Sequence, residues 1–99
     1  MAYEIRFADD VKGHLNALTI PERLAALDAI ERQLLDEPLV ETCNRKPLRP
    51  NPIAPWELRA GKLRVFYEVA PGETSLVRIL AVGKKEQNIL LVAGQEMSL

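Results

Sequence analysis

The 99-residue sequence holds a single cysteine, Cys43. One thiol closes no internal disulfide, and without a second it builds no thiolate zinc site. Cys43 therefore reads as a free, incidental thiol in a reducing compartment. Histidine is equally scarce, with His14 alone. It lies near an apolar stripe, where a lone imidazole reads as a packed or exposed helix residue rather than a catalyst. No apolar run comes near the roughly 20 residues that a membrane helix needs. The opening Met1-Ala2-Tyr3-Glu4 has no basic stretch followed by an apolar one. No secretory leader is therefore expected, and the cytoplasm is the expected compartment. Internal repeats and low-complexity segments are absent, and neither a metal nor a cofactor is expected.

What is present suits a globular protein: 47% of residues are apolar and 27% charged. A chain of this length can bury one core, so residues 1–99 are expected to form a single domain. The net charge is only −1, but it is unevenly spread. Residues 1–41 carry four basic side chains against nine acidic ones, and residues 45–85 carry nine against three. An acidic front and a basic middle point to one electropositive face. The plainer reading is that these charges pair with one another.

The pattern runs as an α half followed by a β half. Tyr3, Ile5 and Phe7 alternate with polar residues, which predicts a short strand. Asp9 or Asp10 can cap a short helix that carries Val11, Leu15 and Leu18 on one face. Thr19-Ile20-Pro21-Glu22 is a capping box with proline in the first turn. Leu24, Leu27, Ile30 and Leu34 then recur at helical spacing to about Asp36, and Pro38 ends the run. A tight link between the two helices predicts an antiparallel hairpin. Residues 38–55 are proline-rich and read as a loop without regular structure. Three strands are expected at Trp56–Ala60, Leu63–Val69 and Leu76–Val82, turned at Gly61-Lys62 and Pro71-Gly72.

Strand alternation sorts the side chains. Trp56, Leu58, Leu63, Val65, Tyr67, Val69, Val77, Ile79 and Ala81 should face the helices. Glu57, Arg59, Arg64, Phe66, Glu68, Arg78 and Leu80 should face the other way. If Leu58 pairs with Val65, Arg59 stands opposite Arg64, and like charges across a sheet pair destabilise it. A bound anion would relieve that repulsion. Otherwise the two side chains simply splay into water. In the same register Arg78 meets Glu68 and is explained by an ion pair. Phe66 either stacks a base or is covered by the C-terminal segment.

The stretch PWELRAGKLRVFYEV, followed by VRILAVGKKE, resembles the RelE/ParE toxin superfamily. The matching residues are Leu58-Arg59, Gly61, Arg64, Val65-Phe66-Tyr67 and Val82-Gly83-Lys84-Lys85-Glu86. The resemblance covers nearly the whole chain and favours the RelE-like branch. It implies an α+β fold of β-α-α-β-β-β order, with an antiparallel sheet packed on a helical hairpin and the first strand added to that sheet. It also implies a toxin held in check by a cognate antitoxin, acting on the ribosome and mRNA as a metal-independent endoribonuclease. In that chemistry a ribose 2′-hydroxyl attacks the adjacent phosphate, so cations must meet the phosphorane and protons must be moved. By position Arg64 and Lys85 match catalytic basic residues, Arg59 a supporting arginine, and Lys84 a phosphate contact. Glu57 can accept a proton. Arg45, Lys46, Arg49 and Lys62 complete the basic set expected to contact RNA.

Two departures keep other readings open. Some RelE-like enzymes place lysines before the Leu-Arg pair, where this chain has Pro55 and Glu57. Some place a tyrosine near the C-terminus, where this chain has Leu91. The alternatives are a ParE-like toxin that poisons DNA gyrase without nuclease chemistry, or a catalytically degenerate antitoxin-binding relative. The apolar Ile89, Leu91 and Val92 are expected to be covered, either by the antitoxin or by the chain's own core. Nothing in the pattern sets an oligomeric state.

Overall fold

The structure, a computed structural model, describes residues 3–70 and 75–98. The expected Pro71-Gly72 turn lies outside the described residues. Strand β1 (Glu4–Phe7) leads into the short helix α1 (Val11–Asn16). Asp10 stands at the N-cap of α1, but its side chain makes no capping bond. The cap read from Asp9 or Asp10 is therefore only positional. The longer helix α2 (Ile20–Leu34) starts as its motif dictates. The Thr19 hydroxyl accepts from the Glu22 amide at 3.3 Å, and Glu22 Oε1 accepts from the Thr19 amide at 2.9 Å. Two N-terminal amide groups are thereby satisfied.

The buried stripe of α2 is Ala26, Ile30 and Leu34. Leu24 does not join it and is 61% exposed. It precedes Ala26 by two residues, which turns it about 200° around the helix. Ala26 packs in the core under α2 instead, so the buried face is turned away from the Leu24 position that periodicity predicted. His14 is packed: the Val82 amide donates to its Nδ1 at 3.3 Å, tying α1 to the sheet.

Strands β3 (Trp56–Ala60) and β4 (Leu63–Val69) form where expected, in the expected register. Leu58 pairs with Val65, and Arg59 with Arg64. Three features depart from the sequence pattern. The loop before β3 contains a short strand, β2 (Arg45–Pro47), because Arg45 to Pro47 pair with Leu58 to Trp56. The next strand, β5 (Leu76–Glu86), runs past Val82 for four more residues. Those residues are held by the C-terminal hairpin of β6 (Ile89–Val92) and β7 (Gln95–Met97). Both of its turns are two-residue links with positive φ, at Gln87-Asn88 and Ala93-Gly94, the geometry that suits the right-handed twist of hairpins.

The sheet order is β2-β3-β4-β5-β6-β7, and β1 lies parallel to β5. The sheet is thus antiparallel except at β1, whose partner strand comes only after the whole helical hairpin. A bulge interrupts the β4–β5 ladder: Tyr67 pairs with Ile79 and Phe66 with Ala81, which leaves Leu80 unmatched. The extra residue reverses the alternation beyond it. Val82, not Ala81, therefore faces the helices, contrary to simple alternation. Leu58, Val65, Tyr67, Val77, Ile79 and Val82 make the core with α1 and α2. On the other face Phe66, Ala81, Leu90, Val92 and Ala54 form a second cluster. Phe66 is fully buried there, so it cannot stack a base.

Candidate active site

The second face of the sheet carries the site. Glu57 on β3, Arg64 on β4 and Lys85 on β5 line one cavity of about 240 Å³, closed on one side by Asn88, Leu90, Met97 and Ser98. The C-terminal hairpin reaches this position through Gly83, the partner of Arg64 across the β4–β5 ladder. A Cβ at Gly83 would overlap the carbonyl oxygen of Leu91 and come within 2.8 Å of Val92 Cγ2. Glycine there lets β6 lie tight against β5, which brings Leu90 over Phe66 and sets the cavity wall.

Electrostatically the cavity is a cation pair around one buried carboxylate. Arg59 and Arg64 are directly opposed. Glu57 is 4% exposed, and its Oε1 accepts from Arg59 Nε at 2.7 Å. Arg64 is half-buried rather than on open solvent. Its Nη1 donates to the carbonyls of Gly61 (2.7 Å) and Leu63 (2.8 Å). Its Nε is buried with no hydrogen-bond partner among the described residues. Burial chiefly, then the neighbouring Arg59 charge, lower the Arg64 pKa, while Glu57 opposes that shift. A guanidinium still holds its charge under such pressure. An unmatched buried N–H beside a second cation is a local cost that an incoming anion relieves.

The turn that clamps Arg64 is itself tied down. Gly61 takes a φ of +59°, and the Lys85 amide donates to the Lys62 carbonyl at 2.7 Å. The Lys62 ammonium lies 3.1 Å from Glu22 and 3.7 Å from Glu86. Glu22 is held down at about 2 by the Thr19 amide and then by Lys62, with Lys84 adding to the effect.

The remaining basic residues divide by face. Lys84 lies 3.5 Å from both Glu22 and Glu86, on the helix side of the sheet. Lys84 and Lys62 are therefore engaged away from the cavity. Arg45 is buried; it donates to the carbonyls of Val40 (2.9 Å) and Gln33 (2.7 Å) and to the Gln33 side chain. It joins β2 to the end of α2 and presents no charge to a ligand. Lys46 is paired across the strands with Glu57, on the cavity face, and its ammonium lies 3.5 Å from Glu41. Arg49 is exposed on the loop before β3. The expected Arg78–Glu68 ion pair forms at 3.1 Å. Asn88, Leu90, Met97 and Ser98 carry no chemical motif in the sequence; Asn88 and Gly94, both at positive φ, are the turn-forming residues that could have marked this hairpin. Among the described residues, no group of three or more His, Cys, Asp or Glu could hold a metal ion.

No protein-family model matches the chain, and no curated protein matches it by sequence. Its fold does match a solved structure. The toxin–antitoxin complex RelBE2 from Mycobacterium tuberculosis superposes with a TM-score of 0.72 at 27% identity. The match covers 86% of this chain and all of that one. A strand, a helical hairpin and a meander that gathers arginines on its free face define a small toxin fold. Element order, the Leu58-to-Glu86 motif and this likeness agree, and the chain is a member of the RelE-like toxin superfamily. No helix in the described residues is long and apolar enough to cross a membrane.

Proposed function

We propose that the chain is a single-domain toxin of a toxin–antitoxin pair, acting in the cytoplasm by cutting mRNA on the ribosome. One observation carries this reading: Glu57, Arg64 and Lys85 line the same cavity, with Arg59 opposed to Arg64. In the reaction, the Glu57 carboxylate takes the proton of a ribose 2′-hydroxyl. The freed oxygen bonds to the adjacent phosphorus, and Arg64 and Arg59 stabilise the charge on the phosphorane. The bond to the 5′-oxygen then breaks, and that oxygen takes a proton from Lys85. A 2′,3′-cyclic phosphate and a 5′-hydroxyl result. Lys46 and Arg49 hold flanking phosphates on the same face.

The partner is a cognate antitoxin, as RelBE2 is a toxin–antitoxin complex. Of the C-terminal apolar residues expected to be covered, Val92 is buried on the chain's own second cluster beside Leu90, Leu91 is half-buried and Ile89 stays exposed. Uncovered apolar side chains occur in both halves of the chain: Ile89 and Met97 on the C-terminal hairpin at 42% and 39% exposure, and Phe7, Ile20 and Leu24 on β1 and α2 at 45%, 66% and 61%. The larger exposures, at Ile20 and Leu24, favour an antitoxin that covers α2, with Ile89 and Met97 offering a second contact at the C-terminal hairpin.

Induced expression followed by 5′-end mapping of ribosome-bound message tests the enzymatic reading. Discrete new 5′-hydroxyl ends are expected. Intact message accompanied by DNA breaks would overturn it in favour of a gyrase poison.

A further inference from the structure

A second cavity, of about 410 Å³, opens on the same sheet face as the first. Its apolar floor is Leu48, Ile53 and Leu80, all packed on the cluster around Phe66 that also reaches Leu90 in the first cavity. One apolar bed thus runs beneath both. Along β4 the step from Arg64 to Glu68 is four residues, about 13 Å of strand, which extended single-stranded RNA covers in about two nucleotides.

The wall of this cavity is rigid. Asn51 Nδ2 donates to the carbonyls of Arg49 (2.7 Å) and Ala54 (2.9 Å). Its Oδ1 accepts from the amides of Ile53 (2.8 Å) and Ala54 (3.0 Å). A loop closed this way is already ordered before a ligand arrives, which lowers the entropy cost of binding. Arg49 stands on the rim with no carboxylate partner among the described residues. Glu68 stands inside, and among the described residues only its Oε2 is engaged, by Arg78 at 3.1 Å. Arg78 offsets the charge of Glu68 and leaves Oε1 as an acceptor.

We infer that this second cavity is a base-reading subsite for the RNA strand held in the first, selective for a nucleobase with an exocyclic amine over uracil. The inference rests on the ribonuclease reading above. Arg49 holds the phosphate, the proline-rimmed apolar floor receives the ring face, and Glu68 Oε1 accepts from the amine. Uracil has one ring N–H flanked by two carbonyl oxygens, which the carboxylate repels.

The test uses 2′-O-methyl pentanucleotides, which cannot be cleaved, varied at the positions two steps from the centre. Fluorescence anisotropy should show about ten-fold tighter binding when one of those positions carries cytosine or adenine rather than uracil. In Glu68→Gln that ratio should fall to about one, because the amide both donates and accepts. Arg49→Gln should weaken every pentanucleotide alike and flatten the salt dependence. Equal binding of all pentanucleotides by the unmodified protein overturns the subsite, as does a preference that survives Glu68→Gln or an affinity untouched by Arg49→Gln. Because the probes are not cut, selectivity that persists in a protein unable to cleave ribosome-bound message supports the subsite while refuting the nuclease reading.

Discussion

Replacing Arg64 with alanine should separate activity from stability. In the folded protein Arg64 donates to the carbonyls of Gly61 and Leu63, and each bond contributes about 1 kcal/mol net. Against this stands Nε, buried without a partner among the described residues, at a cost of about 1–3 kcal/mol. Repulsion from Arg59 directly opposite costs roughly 0.2–1 kcal/mol more. The two sides nearly cancel. Arg64→Ala should therefore melt within about 4–8 °C of the unaltered protein, the shift that about 1 kcal/mol produces at this size. Its cleavage of ribosome-bound message should nevertheless fall about 100-fold or more, the effect of losing one donor to a developing oxyanion. Arg64→Lys keeps the charge but not the planar fork, so it should fall between. Paired thermal melts and single-turnover cleavage on programmed ribosomes measure both quantities. An alanine variant that cuts at the full rate refutes the catalytic role. One that loses activity only because it has unfolded refutes the energetic argument.

Arg45→Ala should behave in the opposite way, costing about 2–4 kcal/mol of stability because it removes charge-assisted hydrogen bonds from a buried guanidinium to the Val40 and Gln33 carbonyls, and urea unfolding would register the loss. Glu22→Gln keeps the capping-box geometry but removes the charge. The Glu22 carboxylate is depressed from 4.5 to about 2, so its stabilisation is complete above about pH 4.5 and is lost as pH falls towards 2. The variant's urea midpoint should therefore be less sensitive to pH across that window, and an unchanged slope would contradict the assignment. Lys46→Gln with Arg49→Gln should reduce the slope of log affinity for ribosomes against log salt by about two, about one per phosphate-contacting cation. Lys62→Gln with Lys84→Gln should leave that slope alone, since both lysines pair with Glu22 and Glu86 on the other face.

The basic middle of the chain shows why charge along a sequence is a poor map of a surface. Nine cations between residues 45 and 85 suggested one face. Tertiary packing assigns Arg45 to the interior, Lys62 and Lys84 to the helix side, and Arg78 to an ion pair. That leaves Lys46, Arg49, Arg59, Arg64 and Lys85 for the cavity face. The sorting follows from strand parity and from which acids α2 presents, and neither is visible in a linear count.

Local rules were enough for much of the fold. The Thr19–Glu22 capping box placed the start of α2, because its hydrogen bonds lie within one turn of chain. Period-two alternation and Gly61 placed β3, β4 and their register, and hence the opposition of Arg59 and Arg64. Other features depended on residues far apart in sequence. The bulge at Leu80 exchanged the faces of Ala81 and Val82, and the burial of Ala26 in the core turned Leu24 outward. The C-terminal hairpin settled only because Gly83 lets β6 approach β5 closely enough to cover Phe66. Alternation and periodicity describe a segment's own geometry. Which of its faces is buried, and which charge is left free, is decided by what packs against it.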